Sequence, residues 1–531
     1  MRIFSLLTSF LLILSISTNA QENESPKAVI GIVVDQMRYD YLLRFKEHYG
    51  ENGLKRLMEE GKNFKNTNYN YKPTKTAPGH ASIFTGTTPS VHGIVGNNWY
   101  SRAASDYVYC VKTEEEGKEP AFSPARMQVN TLADEMKLMD PQAKVYGISL
   151  KDRGAILPAG HTADGAYWFE GKQGGFVTSA YYTTEEEGWL KAFNKKDVYK
   201  NYLAKGWKLS AKEEAYADLA DNRAIERPYT EGGKAEFPYD FKLAFEKYGA
   251  DLIKQTPQGN EILADFAKEL IKEKAIGKDE HMDFLSISFS STDYIGHQFG
   301  VRSREVMDVY IKLDQILADL LTYLDQELGG NYLLFLTSDH GAAVNREHLK
   351  EMGVPSGHLS MKGIQKKLDG HLDSLLGEED WIKANSNLNI YFDQSLLVER
   401  EEEGYEREDV MELSYHFLKA QEGVANVYLP GYADSEDYLI PMTARGYHAD
   451  ESGDLVIIEK PNWNSFWAVG SGHESPYNYD THVPLLIYGK GVGLGESNEA
   501  YSITDIIPSL ANHLGLGMPD GVKNFKSIPL K

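Results

Sequence analysis

Apolar residues fall along this chain in two distinct rhythms. Residues 28–34 (AVIGIVV) form an unbroken apolar run that stops at Asp35, the signature of a strand buried on both faces. Residues 284–289 read the same way and lead to Asp293. From 303 to 328 the rhythm changes: Val306, Val309, Tyr310, Leu313, Ile316, Leu317, Leu320, Leu321 and Leu324 recur at helical spacing. Residues 332–336 then predict another strand, ending near Asp339. Strand, helix and strand in this order make a unit of the doubly wound type. Residues 145–149 and 484–488 predict further core strands, and 503–514 a closing helix. The expected fold is α/β, a three-layer, doubly wound and mostly parallel sheet.

Two stretches depart from this pattern. Residues 165–240 are rich in Tyr, Trp, Lys and Glu and predict a cap or insertion over the site. Residues 355–460 contain a helix-like segment at 407–420 and strand-like segments at 388–392, 424–428 and 455–458, which predict a smaller α/β insertion. Arg2, the apolar run 3–16 and the small residues Thr18-Asn19-Ala20 predict a signal peptide over 1–20, leaving a catalytic domain over 21–531. The expected location is periplasmic or secreted, with no membrane span after cleavage.

Composition narrows the chemistry. The net charge of −23 argues against nucleic acid as a partner. Cys110 is the only cysteine, which excludes an intrachain disulfide and multi-cysteine metal sites. Any tightly bound transition metal must therefore use His and carboxylate ligands. The acidic runs 114–116, 185–187 and 401–403 each end in Gly and read as solvated helix ends or loop tips.

In open α/β sheets ligands collect beyond the carboxyl ends of the strands. Three predicted strands deliver Asp35, Asp293 and Asp339 to that edge. Asp293 and His297 are four apart and share a face if the segment is helical. His340 follows Asp339, and His473 lies in a polar loop before the last strand. Thr76, in Lys75-Thr76-Ala77-Pro78-Gly79-His80, sits where Pro78 predicts the first turn of a helix, a place that attracts anions. Gly79 is expected to let the backbone approach a ligand closely. Lys151 and Arg153 follow the 145–149 strand, as either a solvated basic edge or an anion-binding pair.

Thr-x-Pro-Gly-His, the distant Asn97, Asp-x3-His, Asp-His-Gly and the final His473 resemble the alkaline phosphatase superfamily, in its branch with nucleotide pyrophosphatases/phosphodiesterases. Within that branch the chain resembles the phosphate-irrepressible bacterial alkaline phosphatases. The resemblance implies two Zn2+ ions: one on Asp293, His297 and His473, the other on Asp35, Asp339 and His340 with Thr76 as an exchangeable ligand. It implies Thr76 as the nucleophile, and Asn97, Lys151 and Arg153 as contacts to the phosphoryl oxygens. Small phosphate monoesters are the implied substrates. A nucleotide pyrophosphatase/phosphodiesterase is the alternative enzyme, and an exported metal-containing glycan-binding protein, stacking sugars on Tyr167 and Trp168, the alternative outside enzymes. One departure stands out: Glu474 follows the final histidine where the family usually has Gly, which makes His482 a rival ligand. Separately, Thr74, two residues further from the helix start, is a nearby competitor to Thr76 as nucleophile.

Overall fold

The computed structural model describes residues 25–113, 121–185, 187–195, 198–432, 437–466 and 468–531. The predicted signal peptide and the acidic run 114–116 lie outside these residues. A ten-stranded mixed sheet organises the chain. Its strands are β1 Ala28–Val34, β2 Lys62–Asn68, β3 Val145–Ser149, β4 Gly165–Glu170, β5 Gly175–Val177, β6 Asp283–Phe289, β7 Tyr332–Thr337, β8 His482–Val483, β9 Leu485–Gly489 and β10 Gly495–Ser502. They run in the order β8-β2-β9-β7-β1-β6-β3-β4-β5, and β10 also pairs with β2. The central strands β7, β1, β6, β3 and β4 are parallel, with β1 flanked by β6 and β7. The 484–488 strand runs antiparallel to β7. Pro484, which has no N–H to donate, separates β8 from β9, and both pieces pair with β2.

The apolar run of β1 covers both faces by alternation. Val29 and Val33 pack with Ile83 and Phe84 of α1 (Thr76–Thr85), while Ile30, Ile32 and Val34 pack in the core of the opposite layer. Helix α2 (Asp152–Ala159) follows β3, and α3 (Gln258–Glu273) contributes Ile262 and Phe266 to the second layer. Helix α4 (Ser291–Phe299) follows β6, and α5 (Arg304–Leu328) lays Val309, Leu313, Leu317 and Leu320 against the sheet. Ser303 caps α5 by accepting the Val306 N–H at 3.1 Å, and Gly329, at φ 59°, ends it. Helix α6 (Ile506–Leu514) closes the first layer. This is the three-layer α/β arrangement that the apolar pattern predicts.

The stretch 165–240 differs from its expected role. It begins as β4 and β5 in the sheet itself, and its aromatics Trp207, Tyr216, Tyr229 and Tyr239 are buried in the same core as α3 and α5. Their number thus reflects packing, and polar anchors reinforce it: Asp308 accepts from Trp207 Nε1 and Tyr216 OH, both at 2.6 Å. Tyr167 and Trp168 are 1% and 6% exposed, so they present no stacking face for a glycan. Within 355–460, strands Ile382–Ser386, Asn389–Phe392, Leu455–Glu459 and Val424–Tyr428 form a separate four-stranded sheet with its own apolar core under helices Met361–Leu376 and Arg407–Lys419. Replacing Asp308 by Ala leaves buried donors of Trp207 and Tyr216 unpaired. Urea unfolding of Asp308→Ala should show a loss of about 3 kcal/mol.

Candidate metal and phosphoryl site

The parallel strands converge on one edge. Asp35 follows β1, Lys151 follows β3, and Asp339 and His340 follow β7. Helix α4, just after β6, carries Asp293 in its first turn and His297 one turn later. The loop before α-helical residues 478–481 supplies His473. Asp293 Oδ1 lies 3.0 Å from His297 Nε2 and 3.8 Å from His473 Nε2. Asp35 Oδ1 and Asp339 Oδ2 lie 3.5 and 3.6 Å from His340 Nε2. Among the described residues, Asp293, His297 and His473 form one group with metal-ligand spacing, and Asp35, Asp293 and His340 another. Asp293 stands between the two, and Asp339 adjoins the second through His340.

All three imidazoles are oriented in the same way. Their Nδ1 atoms meet the backbone carbonyls of Ser471, Thr74 and Gly341 at 2.7, 2.7 and 2.9 Å, for His297, His473 and His340 respectively. A ring nitrogen facing a carbonyl carries a proton, so Nε2 is the nitrogen each ring turns inward, the orientation that metal-binding histidines require. His340 and His473 stack with centroids 3.5 Å apart. Burial brings the His340 pKa down to about 3 and pulls His473 well below the ordinary imidazole range. Both are therefore neutral donors. Burial also opposes charge on His297, but the Asp293 carboxylate outweighs it and raises the pKa.

The carboxylates are buried and mutually repelling. Burial, then the neighbouring Asp35, pushes Asp339 well above the usual range, and burial with the neighbouring Asp293 raises Asp35. Burial opposes charge on Asp293 too, yet His297 and Lys151 together hold it well below that range. Asp35 Oδ1, Asp339 Oδ2 and His340 Nε2 are buried without any hydrogen-bond partner. Orphaned oxygen and nitrogen donors converging this closely fit a divalent cation, and a His/carboxylate set suits a borderline one.

Helix α1 is docked against this cluster. Thr76, its first residue, is 1% exposed. His80 Nδ1 donates to the Thr76 carbonyl at 2.8 Å and its Nε2 accepts from Ser288 Oγ at 2.8 Å, while Nδ1 also lies 3.5 Å from Asp339 Oδ2. A Cβ on Gly79 would come within 2.3 Å of the Asp339 carbonyl oxygen. Gly79 therefore permits close packing on the Asp339 backbone, not on a ligand as expected. Asn97 Oδ1 accepts the Ala77 N–H at 2.9 Å, which leaves the amide NH2 as its remaining donor. Lys151 Nζ lies 2.6 Å from both Asp35 Oδ2 and Asp293 Oδ2. Arg153 Nη1 donates to Tyr109 OH at 3.1 Å, and its buried Nε has no hydrogen-bond partner.

The rivals are placed elsewhere. His482 stacks on Tyr39 at 4.6 Å and bonds the Lys65 carbonyl at 2.8 Å. The Thr74 hydroxyl bonds the Ser475 carbonyl at 3.0 Å, and its own carbonyl orients His473. Glu474 has φ 125°, a conformation that glycine adopts more easily, and its carboxylate pairs with Lys75. Lys75 also donates to Asn387 Oδ1 at 2.8 Å, and Asn387 Nδ2 to the Asn98 carbonyl at 2.7 Å. A residue of the smaller sheet's hairpin thus ties together the neighbours of Thr76, Asn97 and His473. Gln36, at φ 66°, is another contributor that sequence reading missed. Its N–H reaches Asp339 Oδ1 at 3.2 Å and its Nε2 reaches Asp293 Oδ1 at 2.7 Å. Its place directly after Asp35 was the available signal. Gly79→Ala should lower unfolding stability by about 1–3 kcal/mol, the cost of overpacking a tight contact, and denaturant titration reads it.

Comparison with known proteins identifies the family of the chain. The family model described as type I phosphodiesterase / nucleotide pyrophosphatase matches residues 29–478. The chain is 37% identical to alkaline phosphatase PafA of Elizabethkingia meningoseptica, with 93% of each chain covered. It is 39% identical to a Myroides odoratus protein named calcium-transporting ATPase, with 94% of each covered. A crystal structure of wild-type alkaline phosphatase PafA superimposes with TM-score 0.89, covering 95% of this chain and 98% of that one. Among the described residues no helix is long and apolar enough to cross a membrane. The chain belongs to the type I phosphodiesterase / nucleotide pyrophosphatase family of the alkaline phosphatase superfamily, and it is a hydrolase of that family.

Proposed function

We propose that this chain is an exported two-zinc phosphomonoesterase that acts through a phosphothreonine at Thr76. The observation that carries the reading is the docking of the first turn of α1 on Asp339, with His80 Nδ1 3.5 Å from Asp339 Oδ2. That packing brings the first turn of α1, which begins at the buried Thr76, against a candidate ligand. Asp293, His297 and His473 would hold one ion, and Asp35, Asp339 and His340 the other. Zinc bound there supplies Lewis acidity, lowering the pKa of an attacking oxygen and offsetting charge on a leaving one.

The chain's own groups do the rest. Thr76 Oγ attacks phosphorus as the ester P–O bond breaks, and the alcohol leaves with a proton. Water then attacks the phosphothreonine from the vacated side and releases phosphate, restoring the hydroxyl. The Asn97 amide NH2 donates to a phosphoryl oxygen, its carbonyl already being used by Ala77. Arg153 Nε, buried and without a partner, is a second donor. Lys151 Nζ, 2.6 Å from both Asp35 and Asp293, would turn its charge to the phosphoryl group once those carboxylates held a cation.

Charge favours monoesters over diesters. Unit charges about 4 Å apart interact by roughly 4 kcal/mol at an effective dielectric near 20, before desolvation. The extra negative charge of a monoester dianion therefore gains from Lys151 and Arg153, and about 1.4 kcal/mol of that gain is already tenfold. Relatives named alkaline phosphatase support this reading, as does the apolar N-terminal run.

Thr76→Ala should lower phosphate release from an aryl monoester at least about a thousandfold while bound zinc, counted by mass spectrometry, stays within the range of wild type. Retained activity would remove Thr76 from the mechanism. Chelation should abolish activity, and zinc should restore it. In matched aryl mono- and diesters, Arg153→Ala should lower kcat/KM for the monoester at least about tenfold more than for the diester. A diester preference in the unmodified enzyme would overturn the monoesterase assignment.

A further inference from the structure

A cavity of about 670 Å³ opens beside the candidate metal centre, with His297 in its wall. One member of the group Asp293, His297 and His473 therefore borders it. Tyr248, Tyr294 and Phe466 line it, and all three rings are half-buried, which leaves part of each open to a ligand. The Phe466 ring lies 6.1 Å from the His297 ring and 5.8 Å from the His473 ring. Gly472 makes that position possible, because a Cβ there would come within 2.3 Å of the Phe466 ring. Lys151 Nζ lies 5.1 Å from the centroid of Tyr294. One aromatic ring thus adjoins both the cavity and the cation assigned to the phosphoryl group. Arg227 and Gln255 add polar groups to the wall.

The direction of displacement assigns this space. A two-metal site holds the attacking oxygen on one ion and the leaving oxygen on the other, in line through phosphorus. Thr76 belongs with Asp339, against which α1 packs, so the leaving oxygen faces the Asp293, His297 and His473 side. The cavity opens on that side. Its size is that of a small-molecule pocket, and its aromatic walls match a flat apolar group.

We propose that this cavity is the leaving-group subsite and that it selects phosphate monoesters of alcohols bearing an aromatic ring over those of small polar or aliphatic alcohols. The inference rests on Thr76 as nucleophile. Benzyl and ethyl phosphate test it, because their alcohols are similar in acidity and differ in the ring. The zinc-loaded enzyme should turn over benzyl phosphate with kcat/KM about tenfold above ethyl phosphate, the effect expected from removing one ring from water. Phe466→Ala and Tyr248→Ala should each bring that ratio toward one. Tyr248→Ala keeps the test independent of the packing of Phe466 on Gly472. Equal kcat/KM for the two esters, or a ratio unchanged in both variants, overturns the subsite.

Competition between ligands that are not hydrolysed separates the two readings. Phenylphosphonate should bind the zinc-loaded protein about tenfold more tightly than methylphosphonate, and Phe466→Ala and Tyr248→Ala should narrow that gap. Loss of all monoester turnover with this binding pattern intact sinks the monoesterase reading and leaves the subsite standing. Turnover with equal binding of the two phosphonates does the reverse.

Discussion

Three carboxylates are held almost out of contact with water at one edge of a sheet, and much of the surrounding structure answers that constraint. Asp35 and Asp339 are fully buried and Asp293 nearly so. Like charges in a low-dielectric site cannot all ionise without cations close by. The protein supplies one such cation in Lys151, which touches Asp35 and Asp293 together. The remaining orphaned oxygens, with three imidazoles aimed inward by backbone carbonyls, complete a donor set that divalent ions satisfy.

Other features follow from keeping those groups in place. Gln36 accepts a left-handed backbone so that its N–H and its side-chain amide each steady an aspartate. Such a conformation costs on the order of 1–3 kcal/mol and persists where the surroundings over-determine it. Glu474 is a second case. It takes a glycine-like conformation next to a candidate ligand, and its ion pair with Lys75 couples that loop to the start of α1. Asn387, on the smaller sheet, joins Lys75 to Asn98. The smaller sheet therefore has a structural link to the site although its core is separate.

The parallel core was legible because its strands are buried on both faces. Continuous apolar runs at 28–34 and 284–289, and a helical rhythm at 303–328, correspond to β1, β6 and α5 almost residue for residue. Aromatic richness in 165–240 was a weaker guide, since composition does not distinguish a ring that lines a cap from one that fills a core. Trp207 and Tyr216 fill a core and use Asp308 to satisfy their polar ends. The direction of β9 was not legible either, because an apolar run reads the same forwards and backwards.

The spacing of Asp293 and His297, and the ends of three apolar runs, sufficed to place carboxylates and an imidazole at one sheet edge, because strand and helix periodicities are local properties. The choice between His473 and His482 was not local. Both are single histidines in polar surroundings along the chain, and only the folded loop shows one stacked on His340 and the other on Tyr39. The same holds for Lys151, Gln36 and the Gly79 contact with Asp339. Each depends on segments hundreds of residues apart being brought within a few ångströms, and that distance is set by how helices and strands pack, not by any pattern within one segment.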